Sequence, residues 1–135
     1  MDSDPVLSDE RDSSKSQTVL VVDDKQDEGD LLGILVQLAG HHARVVASAS
    51  DALAIASELR PDVALIDIGL PDMNGYQLTQ ALRALPHLDR CRFIAVTGHS
   101  SLSAIARSIA AGFETHLTKP VDVDDLLKVI AGRGS

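Results

Sequence analysis

The chain has 135 residues, which is enough for one domain with a sizeable core and leaves little room for a second. Its net charge of −8 argues against a nucleic acid as a direct partner, because binding to a phosphate backbone requires a basic surface, and it favours cations as ligands. Aromatic residues make up 2% of the chain and Trp is absent, so stacking sites for flavins or bases are nearly excluded.

The N-terminal residues, the apolar runs and the cysteine content indicate the cellular compartment of the protein. Residues 1–16 are polar and show no periodicity, which predicts a disordered lead-in without a signal peptide. The longest apolar runs are too short to span a membrane. The single Cys91 cannot form an intrachain disulfide, which fits a reducing compartment. We therefore expect a cytoplasmic protein, with a fraying tail over 132–135.

The first half of the chain alternates short apolar runs with helical patterns. The runs 19–22, 43–47 and 62–67 are typical of strands, the first and third of buried strands, and the third ends abruptly in Asp67. Between the first two runs, apolar residues recur at helical spacing: Leu31, Ile34, Leu35 and Leu38. Between the second and third, Ser50 is a candidate N-cap and Pro61 a stop signal. The inner face of that helix is predicted to comprise Ala52, Ile55, Ala56 and Leu59.

The second half of the chain continues the alternation. A third helix is predicted over 74–85, with one apolar face: Leu78, Ala81, Leu82 and Leu85. The largely apolar run 92–96 and the short stretch 115–118 predict two more strands. Two further helices are marked by apolar residues at helical spacing: Leu102, Ile105 and Ile109, then Val123, Leu126, Leu127 and Ile130. Five strands alternating with five helices predict an α/β fold with a parallel sheet covered on both faces.

The residues that follow these strands carry the candidate chemistry. Asp23 and Asp24 follow the first strand, Asp67 ends the third, Thr97 follows the fourth and Lys119 the fifth. If these strands are neighbours, their carboxyl ends meet at one edge, where open α/β sheets place their sites. Three carboxylates repel one another, and a divalent cation such as Mg²⁺ relieves that repulsion. Lys119 could then neutralise one phosphoryl oxygen and Thr97 could donate a hydrogen bond to another. This set of groups suits phosphoryl transfer with Asp67 as the nucleophile.

Each of these residues also has a plain structural explanation. Asp24 alone is more simply a cap for the following helix, and Asp67 alone is more simply a turn residue. A Thr at a strand end usually packs or turns, and a Lys before a Pro is usually solvated. The set as a whole favours chemistry, because suitable groups follow four of the five predicted strands.

Four stretches carry a resemblance to a known family, and they span 19–24, 67–75, 95–98 and 117–120. Over about residues 17–131 the chain resembles the receiver domain of two-component response regulators, which include the CheY-like proteins. The resemblance implies a flavodoxin-like, doubly wound sheet of five parallel strands in the order 2-1-3-4-5, with five helices. It implies that Asp67 accepts a phosphoryl group from a phosphohistidine on a histidine kinase or a histidine phosphotransfer protein. Thr97 and Lys119 would then contact the phosphoryl oxygens.

The resemblance also implies a Mg²⁺ site and a switch. Asp24 would bind the ion directly, Asp23 mostly through water, and Gly69 through its backbone carbonyl. The peptide bond before Pro120 is usually cis in the family. His116 stands where the family usually has a Tyr or Phe that swings inward with Thr97 on phosphorylation. A histidine there would add sensitivity to pH, or it is simply a half-exposed strand residue.

The expected function is a signalling receiver rather than an enzyme, one that only gains and loses its own phosphoryl group. Its output face would comprise helix four, strand five and helix five, with a protein as the target and neither a nucleic acid nor a membrane as partner. The chain would be a free-standing regulator or a module of a hybrid kinase.

Two alternative functions are a scaffold that is never phosphorylated and a phosphatase with an aspartyl-phosphate intermediate. Such phosphatases usually place a second Asp where Gly69 stands here. Gly69 and His99 are rim positions that in the family tune the lifetime of the phosphoryl group.

Overall fold

The computed structural model describes residues 16–70, 72–98 and 102–132. The predicted lead-in therefore lies outside the described residues except for Ser16, as do His99 and residues 133–135 of the predicted tail. Within the described ranges, none of the helices is both long enough and apolar enough to cross a membrane.

Strands and helices alternate along the described chain, as the apolar pattern predicts. The strands are β1 (Thr18–Val22), β2 (His42–Val46), β3 (Val63–Asp67), β4 (Arg92–Thr97) and β5 (Thr115–Thr118). The helices are α1 (Gln26–Leu38), α2 (Ala49–Leu59), α3 (Gly75–Arg83), α4 (Leu102–Ala111) and α5 (Val123–Ala131). The strands form a parallel sheet in the order β2-β1-β3-β4-β5, which confirms the predicted flavodoxin-like fold.

The central strand β3 is buried on both faces of the sheet. Ala64 and Ile66 join a core cluster with α2, α3 and Ala111 of α4, whereas Val63 and Leu65 join a second cluster with α1 and α5. Burying one Leu or Ile side chain contributes about 1.5–3 kcal/mol. The strand that ends in Asp67 is therefore held firmly from both sides, and the carboxylate has a rigid base.

Helix α1 buries a different face from the one its leucines suggest. Leu31, Ile34 and Leu38 are 56%, 52% and 79% exposed. The buried residues of the helix are Gly29, Leu32, Gly33 and Val36. A Cβ atom on Gly33 would lie 2.8 Å from a methyl group of Val45 in β2, so the helix can approach the sheet this closely only with glycine there. The helix lies where the pattern predicts it, but its buried face is formed by Leu32 and Val36 together with the two glycines, and not by the predicted leucines.

Ser48, and not Ser50 as predicted, caps helix α2. The Ser48 hydroxyl accepts a hydrogen bond from the amide of Asp51 at 3.1 Å. Ser50 instead donates its hydroxyl and its amide to the Asp72 carboxylate, which also accepts the amide of Ala49. The hydrogen bonds from the Ser50 and Ala49 amides lower the pKa of Asp72. Asp72 thereby fastens the loop after β3 to the start of α2.

Smaller departures concern helix faces and element ends. Ile109 of α4 and Val123 of α5 are 61% and 46% exposed, although their spacing marked these helices in the sequence. Strand β2 begins and ends one residue earlier than predicted. Helix α3 is shorter than the predicted 74–85, because Asn74 lies outside it as the N-cap and accepts the amide of Gln77.

Candidate functional site

The carboxyl ends of β1, β3, β4 and β5 bring the predicted residues to one edge of the sheet. Asp23 and Asp24 follow β1, and Asp67 ends β3. One carboxylate oxygen from each of these three residues lies within 4.8 Å of the other two. Asp23 and Asp67 are buried, whereas Asp24 is exposed. The edge is thus a concentrated patch of oxygen ligands that opens to solvent on one side.

Asp67 is held by the loop that follows it. Its Oδ1 accepts a hydrogen bond from the amide of Gly69 at 3.0 Å. The whole residue is only 8% exposed to solvent. The amide of Gly75 donates to the carbonyl of Ile68, and a Cβ atom on Gly75 would lie 2.9 Å from Ile68 Cα. Glycine at position 75 therefore lets the start of α3 close the loop directly behind the carboxylate.

Asp23 is the most buried acid of the cluster, with 2% exposure. Its Oδ1 accepts the amide of Lys25 at 2.9 Å. Its Oδ2 is buried and receives no hydrogen bond from the described residues, although Lys119 Nζ lies 3.2 Å away. Burial raises the pKa of Asp23 and outweighs the Lys25 amide and the Lys119 charge, which lower it. An additional cation beside Oδ2 would relieve this cost of burial.

Lys119 provides the positive charge of the site. Its Nζ contacts Glu28 Oε1 at 2.5 Å, Asp23 Oδ2 at 3.2 Å and Asp67 Oδ2 at 3.4 Å. Burial by itself lowers the pKa of Lys119, but the hydrogen bond to Glu28 and the charges of Asp67 and Asp23 together outweigh burial and raise it. The ammonium group therefore stays charged. The peptide bond between Lys119 and Pro120 is cis.

Glu28 is a member of this site that the sequence analysis missed. It lies in the first turn of α1, and the structure gives it the shortest of the three contacts with Lys119. Its position four residues after Asp24 was the available signal, since residues near the start of a helix that follows a site strand lie beside that site. That position does not single out Glu28, because the helix dipole alone favours acids in the first turn of a helix.

Asp24 does not serve as the helix cap that was its simpler explanation. Lys25 occupies the N-cap position of α1, and no side chain caps the helix there. Lys25 itself is exposed. The oxygen donors of Asp23, Asp24 and Asp67 fit a hard divalent cation, since such ions prefer several oxygen ligands and often retain water on an open side.

Thr97 joins the site through the last residue of β4 and is only 9% exposed. Its carbonyl accepts the amide of Lys119 at 2.8 Å, and Asp67 lies opposite Val96 in the parallel ladder. The backbone ladder thus fixes how far apart Thr97, Asp67 and Lys119 lie.

Comparison with known proteins identifies the family to which this arrangement belongs. Residues 19–131 match the model of the response regulator receiver domain. The chain belongs to that family. Protein PilH of Pseudomonas aeruginosa is 33% identical over 83% of this chain and 93% of its own length. A receiver-domain structure from Methanospirillum hungatei, described as CheY-like, has a TM-score of 0.78 and 32% identity over 87% of this chain and 92% of that one.

Histidine kinases match this chain over only a small part of their own length. The signal transduction histidine-protein kinase BarA of Escherichia coli is 31% identical over 84% of this chain, but the match covers 12% of the length of the kinase. This receiver therefore resembles both a short regulator and one segment of a much longer kinase.

His116 is the residue for which the sequence offered two explanations, a switch residue or a plain strand residue. It lies in β5 opposite Ala95 and is half-buried. It also lines a surface cavity of about 310 Å³ between β5 and α5, together with Asp122, Asp125 and Lys128. The side chain thus has open space on one side, and both explanations offered for it, a switch residue and a plain strand residue, remain compatible with this position.

Proposed function

We propose that this receiver is phosphorylated on Asp67 by a phosphohistidine, in a reaction that depends on Mg²⁺. The observation that carries the proposal is the convergence of the three aspartates with Lys119 at one sheet edge. Asp67 is the acid of the three that ends the doubly buried central strand and also contacts the lysine. A rigid carboxylate beside a fixed cation is suited to attack a phosphorus atom.

The transfer has a simple balance of bonds. A carboxylate oxygen of Asp67 forms a bond to phosphorus while the bond from phosphorus to the imidazole nitrogen of the donor breaks, and the imidazole leaves with the electron pair. The product is an acyl phosphate on Asp67. We expect Lys119 Nζ to neutralise charge on one phosphoryl oxygen and the Thr97 hydroxyl to donate a hydrogen bond to another.

Mg²⁺, when bound, would supply positive charge for the phosphoryl oxygens. Asp23, Asp24 and Asp67 would hold it, with the backbone carbonyl of Gly69 as a further ligand. The buried Asp23 Oδ2, which receives no hydrogen bond from the described residues, supports a cation in this position. The cation would also separate the acids electrostatically, so that Asp67 could react as the charged nucleophile.

Two other functions are less well supported. A phosphatase with an aspartyl-phosphate intermediate would need an acid two residues after the nucleophile, but Gly69 has no side chain and is exposed. A scaffold that is never phosphorylated would have no use for a lysine shared by three carboxylates at a strand edge. We therefore propose that the protein is a signalling receiver whose only chemistry is on its own Asp67.

Incubation with acetyl phosphate and Mg²⁺, followed by intact mass measurement, tests this function. We expect the gain of one phosphoryl group, and no gain when a chelator removes the metal. Absence of phosphorylation at saturating donor and Mg²⁺ would favour the scaffold. Rapid turnover of unrelated phosphate esters would favour the phosphatase.

We further propose that the donor, a histidine kinase or a histidine phosphotransfer protein, docks on α1. Leu31, Ile34 and Leu38 form an outward apolar stripe, and exposed apolar patches of this kind mark protein interaction sites. Beside the stripe, a groove of about 390 Å³ runs between α1 and the segment after β5 and reaches Lys119. A helix laid along α1 would thus lie next to the site.

Replacing Ile34 with Lys tests this docking face. We expect phosphotransfer from a protein donor to slow by about tenfold or more, since a charge at the centre of an apolar contact costs about 1–3 kcal/mol. Acetyl phosphate, which needs no docking face, should react at the wild-type rate. Ile109→Lys is the matched control, because Ile109 is similarly exposed but lies on α4. Equal slowing by both substitutions would overturn the α1 assignment.

We propose that the receiver binds its downstream protein target through the face formed by α4, β5 and α5. Thr97 is linked to β5 through the hydrogen bond that its carbonyl accepts from the Lys119 amide, so a shift at Thr97 bears directly on that strand. The cavity beside His116 offers space for a side chain to move. We propose that the protein works in the cytoplasm. Burial raises the pKa of the Cys91 thiol to about 12, so this thiol is protonated and unreactive at neutral pH.

A further inference from the structure

Glu28 holds Lys119 more closely than either aspartate does. Lys119 Nζ lies 2.5 Å from Glu28 Oε1, compared with 3.2 Å to Asp23 and 3.4 Å to Asp67. Glu28 is nevertheless absent from the group of acids whose oxygens converge within 4.8 Å. It therefore binds the lysine without being placed to share a metal ion.

The packing of α1 fixes the position of Glu28. The adjacent Gly29 is buried, and a Cβ atom there would lie 3.1 Å from Val45 and 3.5 Å from Asp23. The first turn of the helix is thus pressed onto β2 and onto the site itself. Glu28 therefore lies beside Lys119 because it belongs to a packed helix and not to a flexible loop.

The ammonium group of Lys119 already contacts three carboxylates, so a phosphoryl group would compete with Glu28 for it. A phosphoryl group on Asp67 brings about 1.5–2 negative charges and three acceptor oxygens. Its neutralisation requires Lys119 to turn toward Asp67, from which it now lies 3.4 Å away. We expect such a movement to weaken the contact with Glu28.

We propose that Glu28 is a positioning residue that restrains Lys119 in the unphosphorylated protein and so opposes phosphorylation of Asp67. This inference rests on the proposed function. Glu28 competes with the incoming phosphoryl group for the lysine, and its own charge repels an anionic donor. Its side chain is 42% exposed on the wall of the α1 groove, so solvent weakens the pair and the restraint is modest and adjustable.

The test compares Glu28→Gln with Asp27→Asn. Asp27 is an exposed acid in the same turn, so the control removes the same charge without touching Lys119. Two quantities are measured at about 0.3 M salt, where interactions beyond roughly 6 Å are screened. These are the rate of phosphorylation by acetyl phosphate at saturating Mg²⁺, and the affinity for Mg²⁺ alone by calorimetry.

Glu28→Gln should change the two quantities in opposite directions. Phosphorylation should become about three- to tenfold faster, which corresponds to losing an ion pair of moderate strength. Mg²⁺ should bind about two- to fivefold more weakly, since an anion is lost and the released lysine moves onto Asp23 and Asp67. Asp27→Asn should leave both quantities within about twofold.

A structural role for Glu28 would instead lower both quantities together. Glu28→Asp, which keeps the charge but shortens the side chain, should accelerate phosphorylation as Glu28→Gln does if the contact matters. The inference is overturned if Glu28→Gln phosphorylates no faster than Asp27→Asn. If the wild-type protein gains no phosphoryl group at all, the proposed function fails first, and the two failures are distinguishable.

Discussion

Replacing Asp67 with Asn is expected to abolish phosphorylation by acetyl phosphate in the presence of Mg²⁺. A neutral amide is a poor nucleophile and cannot form the acyl phosphate, so the effect should be complete rather than partial. The fold should persist, because the amide oxygen of Asn can still accept the hydrogen bond that Gly69 now donates at 3.0 Å. Intact mass measures the phosphoryl group, and thermal unfolding measures the stability.

The matched control for this substitution is Asp89→Asn. Asp89 is exposed between α3 and β4, far along the chain from the three site aspartates. The control should gain one phosphoryl group at the wild-type rate. A phosphoryl group that still appears on Asp67→Asn, at the same rate as on the control, would mean that another residue is the acceptor.

Replacing Lys119 with Met is expected to reduce phosphorylation by about 100-fold or more, since one preorganised cation is typically worth that much to a charged transition state. It should also lower the free energy of unfolding by about 1–3 kcal/mol in the absence of metal, less than for a fully buried pair. Three carboxylates would then face one another without their shared counterion. Adding Mg²⁺ should restore most of that loss.

Denaturant unfolding with and without Mg²⁺ measures this effect. The stabilisation by Mg²⁺ should be larger for Lys119→Met than for the wild-type protein, because the metal replaces the missing charge. Lys128→Met serves as the control, since Lys128 is exposed on α5. If Mg²⁺ stabilises Lys119→Met no more than the wild-type protein, Asp23, Asp24 and Asp67 do not share a cation site.

Much of this fold was predictable because most of its strands are short and largely apolar runs. The run that ends in Asp67 has no polar residue at positions 63–66, which is what burial on both faces of a parallel sheet requires. Functional groups at the ends of such strands must meet at one edge. The gathering of Asp23, Thr97 and Lys119 around Asp67 follows from that topology together with the strand order.

What could not be predicted depends on contacts between elements. Ser48 and Ser50 are both suitable N-cap residues by type. Ser48 caps α2 in the structure, whereas the hydroxyl of Ser50 binds the Asp72 carboxylate. The hold of Glu28 on Lys119 joins residues 91 positions apart. Neither contact leaves a periodic trace in the sequence, because each depends on where one side chain ends in space.

The glycine contact between α1 and the sheet has a consequence for how this protein can change over time. Since Gly29 and Gly33 seat the helix, the fold makes little demand on the outward residues Leu31, Ile34 and Leu38. Surface substitutions of this kind usually alter stability by less than about 0.5 kcal/mol. If α1 binds the donor as proposed, the choice of partner can therefore evolve on one side of the helix while the other side keeps the proposed phosphorylation site intact.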